Sequence, residues 1–357
     1  DDYMAVAIAR RHKLSDLAQY QDDEIHEGLA ELVLALLKAL NGPFHSEHQL
    51  NAELEDIALS LNEMALRKPS PRKLAAVIRL NKWLQERGKS HKVAILDLSE
   101  PEHYQSIKKQ LKSKAQSASE LGQLKHALNL SAEFKLTELS SEMLPLLSDD
   151  SQTLPELISC LASLGHLEAV PKIRSIIEKR VNLKERCSQS FSAHPVFESD
   201  QQSSLLYWTA LKALGSLPHN DSIEILSLAV SDYAPDKREQ ALLSLQTILL
   251  SDDLRKSAYK GNLSDLIKDR LDDPAVAVQS AALHGIAQHK LADLVPEVLK
   301  SLHSRESVIQ RKARETLISL AENGYRKELR ENLESALSKE FDSSKKQRLN
   351  KVIQSVG

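Results

Sequence analysis

The chain has 357 residues, of which 41% are hydrophobic, 27% charged and 4% aromatic, a balance that excludes wholesale disorder and leaves Leu, Ala, Ile and Val to build the core. Its formal charge of −3 is too near zero to mark the whole surface for nucleic acid or an anionic membrane. Cys160 and Cys187 are the only cysteines, too few for a disulfide framework or a thiolate zinc site, and no apolar run reaches the about 18 residues that span a bilayer.

In chain order, the spacing of Ile25, Leu29, Leu32, Val33, Leu36, Leu37 and Leu40 predicts an amphipathic helix over 22–40, stopped by Asn41-Gly42-Pro43. A second helix follows through Leu54, Ile57, Ala58, Leu61 and Ala65 and ends before Pro69. Ser70 and Pro71 then supply a cap and a first-turn proline for a third helix carrying Leu74, Val77, Ile78, Leu80 and Leu84. Residues 1–88 thus form a helical N-terminal module. Residues 89–103 form a connection, in which Val93-Ala94-Ile95-Leu96 is read as a helix turn or an extended piece without a strand partner.

From 104 to 357 one cassette recurs: apolar, small, Leu, two free positions, Leu or Ile, then small or apolar. It reads Leu157-Cys160-Leu161-Leu164-Gly165, then Tyr207-Ala210-Leu211-Leu214-Gly215, Ala241-Ser244-Leu245-Ile248-Leu249, Gln279-Ala282-Leu283-Ile286-Ala287 and Ala313-Thr316-Leu317-Leu320-Ala321, with a weaker copy at Leu124-Ala127-Leu128-Ser131-Ala132. The closing positions step by 33, 50, 34, 38 and 34 residues, the interval of stacked helix pairs. Val170-Pro171, Ser222-Ile223 and Val295-Pro296 open the second helices. Asp149, Asp150, Asp252, Asp253, Asp272 and Asp273 sit in the turns and are read as helix caps rather than metal ligands. The 50-residue step holds an insertion at 188–202 that carries Phe191, His194, Val196 and Phe197. Residues 346–356 form a half-repeat whose charged outer face closes the stack.

The helix pairs at this period, the small-Leu-x-x-Leu-Gly/Ala close, the Val-Pro opening and the Asp-rich turns resemble HEAT repeats over about residues 104–357. The resemblance implies an all-α fold, a right-handed α-α superhelix, and a protein that works as a binding surface. Asp236 with Arg238 matches the polar pair of such repeats, whereas Leu154, Val276 and Gln310 stand where other repeats would carry the arginine.

Chemistry is sparse. The chain has one His-Glu pair, His26-Glu27, where HEAT-like di-iron hydroxylases of the deoxyhypusine type carry several. His45 with His48 and His284 with His289 lack the spacing of a helical metal clamp. There is no Gly-x-Ser-x-Gly elbow and no glycine-rich phosphate loop. The chain is therefore expected not to be an enzyme and to need no cofactor or metal. The expected function is that of an adaptor that takes a segment of another protein in the solenoid groove. Its contacts are expected from Lys172, Lys179, Glu224, Lys268, Glu297, Lys300, Lys327 and Arg330 on the second helices, with Phe191 and Phe197 on the insertion. Nucleic acid, bound architecturally or in the manner of the alkylpurine DNA glycosylases, is the alternative. It is not favoured, although Lys108-Lys109-Lys112-Lys114, Arg67-Lys68-Arg72-Lys73 and Arg311-Lys312-Arg314 are basic. A bilin-lyase-like HEAT protein stands behind both. The cytoplasm is the expected compartment, with periplasm or export as the alternative because the chain starts at Asp1.

Overall fold

The computed structural model describes residues 23–40, 54, 57–62, 65, 69–86, 101–112, 117–148, 151–250 and 263–356. The stretches 1–22, 89–100 and 251–262, and the turn aspartates Asp149, Asp150, Asp252 and Asp253, lie outside them. Every regular element among the described residues is a helix, as the cassette pattern requires. The chain divides into two compact units, 1–164 and 165–357.

In the first unit, α1 (Asp23–Leu40) packs on α2 (Pro71–Glu86), α2 on α3 (Pro101–Lys112) and α4 (Ala118–Glu133), and α4 on α6 (Leu154–Ser163), with the single turn α5 (Ser140–Met143) beside α6. The three- and four-residue spacing read from the sequence is the buried stripe: Leu29, Val33 and Leu36 on α1 and Leu74, Val77 and Leu80 on α2 are all enclosed. Ser70 accepts the Lys73 amide at 3.3 Å, so Pro71 begins its helix where a missing N–H leaves no orphan acceptor. Ser117 and Glu120 close a reciprocal capping box on α4 at 3.2 Å each way. Polar contacts join the helices around Glu27 on α1, whose carboxylate takes Arg72 and Arg79 of α2 and stands 3.1 Å from His126 Nε2 of α4. Burial lowers the affinity of His126 for a proton, and Glu27 opposes that shift.

The second unit holds α7 (Val170–Arg180), α8 (Leu183–Ser188), α9 (Gln201–Leu214), α10 (Asn220–Ala229), α11 (Pro235–Ile248), α12 (Leu263–Leu271), α13 (Val276–His289), α14 (Val295–Ser301), α15 (Ser307–Leu320), α16 (Arg326–Lys339) and α17 (Ser343–Val356). They stack in two rows. First helices pack in series as α9, α11, α13, α15 and α17; α7 packs on α10 in the second row, and α12 on α14 and α14 on α16. Each second helix also packs on the first helix that follows it in sequence: α7 on α9, α10 on α11, α12 on α13, α14 on α15 and α16 on α17.

The cassette is the contact surface of the first row. Leu211, Leu214, Leu245, Ile248, Leu283, Ile286, Leu317 and Leu320 are buried, as are the small positions Ala210, Ser244, Ala282 and Thr316. Small side chains there let neighbouring helices approach closely. A Cβ at Gly215 would fall 2.8 Å from that of Ser244, and one at Gly285 would fall 2.2 Å from Gln246 Nε2. Buried polar groups bridge the same gap: Gln246 Nε2 donates to the Ala281 carbonyl at 3.2 Å and Thr316 Oγ1 to the Leu283 carbonyl at 3.1 Å. In the first unit Cys160 and Leu161 are buried likewise, whereas Leu164, the closing residue of that cassette, is only half-buried.

Candidate functional site

The second-helix row presents most of the charged positions that the sequence nominates, and the structure gathers three of them into one cleft. Lys268 lies on α12, and Glu297 and Lys300 lie on α14; with Asp272, Gln279 and Ser304 they line a depression of about 230 Å³. α12 places Lys268 outward because Leu263, Ile267 and Leu271 take the buried side. α14 does the same through Val295, Val298 and Leu299. Lys268 Nζ stands 3.2 Å from Glu297 Oε1, with the lysine half-exposed and the carboxylate mostly covered. Gln279 is turned by its bond to the Asp273 carbonyl at 2.7 Å, and Gln310 donates to the Ser304 carbonyl at 2.6 Å. Both signs of charge and several amide and hydroxyl groups therefore face one small volume, which suits a peptide backbone and mixed side chains better than a uniform polyanion.

The remaining nominees lie elsewhere on the row. Lys172 and Lys179 are exposed on α7. Glu224 of α10 takes Arg174 Nη1 at 2.6 Å, and the same guanidinium bonds Asp221 at 2.8 Å and Glu178 at 2.9 Å. Glu224 is thus part of an ion cluster that joins α7 to α10. On α16, Lys327 is exposed and Arg330 pairs with Glu334 at 2.8 Å, one turn away.

The insertion is more deeply engaged than its polar sequence suggests. Arg238 of α11 is fully buried and meets Asp273 in two parallel bonds of 2.9 and 2.8 Å. It also donates to the carbonyls of Asp232, Tyr233 and Ser192, the last within the insertion. The Ser192 amide in turn donates to the Tyr233 carbonyl at 3.0 Å. Phe191 lies under the guanidiniums of Arg238 and Arg270, 4.5 and 4.8 Å from its ring centre. On the other side Arg186 of α8 forks onto Asp232 at 2.6 and 3.0 Å and reaches Glu198 of the insertion at 2.7 Å. Burial disfavours the charge on Arg186, but the hydrogen bonds that it donates to both carboxylates outweigh this and raise its pKa well above the ordinary arginine value. Phe197 is the outward residue, 86% exposed.

This ladder departs from the sequence expectation in two ways. Asp236 does not join it; its carboxylate, about half-exposed, faces Lys237. Asp273 is not a helix cap, since the cap of α13 is Ala275; Asp273 accepts the Ala275 amide at 2.9 Å and spends its other bonds on Arg238. An N-terminal amide and a buried arginine from the preceding repeat compete for one aspartate, and the turn geometry serves both. Arg186, Asp232 and Asp273 were not singled out for this role because their spacing differs from pair to pair.

Groups for covalent chemistry are quiet. Burial pushes the Cys160 thiol up to about 12, with Met143 Sδ 3.5 Å from its sulfur, and it raises Cys187 as well, so both are thiols rather than reactive thiolates near neutrality. Trp208 is half-buried on α9, with the Lys212 ammonium 5.4 Å from its ring centre. No helix among the described residues is long and apolar enough to cross a membrane.

No family model matches the chain, and no curated protein matches it. Among solved structures, the complex of CpcE and CpcF of phycocyanin lyase from Nostoc sp. PCC7120 is similar over 71% of this chain and 94% of that one, at 14% identity and a TM-score of 0.39. Among the described residues the chain is all-α and built of stacked helices. One expectation is corrected here. The chain was expected not to be an enzyme, yet the structure it is similar to is a lyase by name, so the lack of a nucleophile elbow, a phosphate loop or paired histidines is no ground for excluding catalysis.

Proposed function

We propose that the chain is a HEAT-like array that binds another protein, and that the cleft between α12 and α14 takes a segment of that partner. The observation that carries this reading is the convergence of Lys268, Glu297 and Lys300, nominated separately from sequence, on one depression of mixed charge. Lys172, Lys179 and Glu224 extend the same row toward α7, Lys327 and Arg330 extend it toward α16, and Phe197, exposed on the insertion, offers an apolar anchor. Phe191 serves the partner only indirectly, by fixing the insertion from which Phe197 projects. In this reading residues 1–88 are a helical module, 89–103 a connection and 104–357 the array with its closing half-repeat, working in the cytoplasm.

A pull-down from source extract with the whole chain tests the reading, run beside the Lys268→Glu/Lys300→Glu variant. The expected result is a protein retained by the natural chain and lost by the variant at unchanged melting temperature. Retention of nuclease-sensitive nucleic acid or a chromophore in place of a protein would overturn it.

A further inference from the structure

The closing half-repeat does more than cover the stack. α15 and α17 pack side by side, and between them lies a second depression of about 250 Å³ lined by Arg311 and Arg314 from one helix and by Arg348, Lys351 and Val352 from the other, with Leu302 alongside. Two basic runs that lie far apart in sequence and read separately as a phosphate-tracking stripe and a solvated cap thus face one volume. No carboxylate lines it.

Two of its guanidiniums are already oriented. Arg314 Nη2 donates to Ser355 Oγ at 2.7 Å and Arg348 Nη1 to the Leu302 carbonyl at 3.4 Å, which leaves the other N–H groups of each fork to an incoming acceptor. Arg311 has only a loose contact with Glu315, at 3.9 Å, and its side chain is 74% exposed. Lys351 is exposed as well. Four cations gathered around a volume that no carboxylate lines repel one another, and an anion relieves that repulsion. Leu302 and Val352 give the depression an apolar part that bare phosphate does not need.

We propose that the cleft between α15 and α17 binds a short acidic segment of a partner protein, with carboxylates on Arg311, Arg314, Arg348 and Lys351 and an adjacent apolar side chain against Leu302 and Val352. The surroundings favour a short segment over a long polyanion. Glu306 and Glu315 flank the site on α15, and Glu340 and Asp342 stand in the turn before α17, close enough to act on the titration of His303 beside Leu302. A nucleic acid that tracks about 6–10 phosphates must pass these carboxylates, whereas a segment filling one depression avoids them. The proposal rests on the reading of the array as a protein binder, but it concerns a different cleft.

The test uses the whole chain and a fluorescein-labelled, N-acetylated peptide of alternating Glu and Leu, followed by polarisation. The natural protein is expected to bind it saturably and more weakly as salt rises. Arg311→Glu/Lys351→Glu, which alters two exposed side chains, is expected to weaken binding by about tenfold or more at unchanged melting temperature, and Arg314→Ala to weaken it in the same direction. Lys268→Glu/Lys300→Glu is expected to leave peptide binding unchanged, so loss of partner capture through α12 and α14 and loss of peptide binding here are separate failures. Absence of saturable binding, equal binding by Arg311→Glu/Lys351→Glu, or displacement of the peptide by single-stranded DNA or inorganic pyrophosphate at lower concentration than by unlabelled peptide would each overturn the proposal.

Discussion

The two ends of the second unit place their charges oppositely. Around α8 to α11 the charges are inside: Arg238 and Asp273 are fully enclosed, and Asp232 is too. Around α15 to α17 the interior is apolar, with Leu317, Leu320, Leu329, Leu333, Leu349 and Val352 buried, and most of the charges ring the outside. A buried arginine must satisfy its donors within the protein and has none to spare, so the first region is a structural joint that also ties down the insertion. Arg314, exposed, and Arg348, half-buried, are held by one bond each and keep free donors, so the second region has capacity for a ligand. The same residue type builds the fold at one end and a surface at the other, and burial decides which.

Removing one partner from the enclosed joint should have the largest effect. Arg238→Ala leaves Asp273 buried with only Arg270, 3.8 Å away, opposite it and takes a donor from three carbonyls, and it is expected to cost about 3–5 kcal/mol in urea unfolding. Next comes the apolar end: Leu317→Ala, at a fully enclosed position, is expected to cost about 2–5 kcal/mol through lost transfer energy and the cavity left behind. A loss below half a kcal/mol would refute the cassette register.

Deleting residues 188–202 separates a joint from a free loop. Shortening the loop is worth about 1 kcal/mol or less by chain entropy, but the deletion removes the Ser192 partner of the buried Arg238 and the Glu198 partner of the largely covered Arg186, so destabilisation of about 1–3 kcal/mol is expected. A melting temperature equal to that of the natural chain would show that the insertion is merely attached. The smallest effect belongs to the outer face of α16. Arg330 meets Glu334 at 2.8 Å with both side chains more than half exposed, and Arg330→Ala is expected to change stability by about 0.5 kcal/mol or less. Arg238 and Arg330 each meet a carboxylate at 2.8 Å, so the gap between their two costs reflects burial together with the further bonds that Arg238 makes.

Stacking was legible in the sequence because it obeys a period. Leu211, Leu245, Leu283 and Leu317 occupy the same register in successive repeats, and a buried helix face imposes that register on the chain. The joint was not legible, because ladder partners lie at unequal distances. Asp236 sits where the repeat pattern places an acid beside Arg238, yet the arginine turns toward Asp273, whose carboxylate is already held by a helix amide. The mixed-charge cleft was legible residue by residue, since Lys268, Glu297 and Lys300 are polar positions off the apolar stripe of their helices. The basic cleft was not: Arg314 and Arg348 come together only when the closing helix packs on α15, and nothing in either run encodes the meeting.

The central claim is that the second-helix row, at the cleft between α12 and α14, is where another protein sits. A photo-crosslinking residue placed at position 300, in that cleft, or at position 212, on the exposed side of the first-helix row, reads this directly in the presence of the captured partner. The account predicts a covalent adduct from position 300 and none from position 212. An adduct from position 212 alone, with the partner still retained, would contradict it.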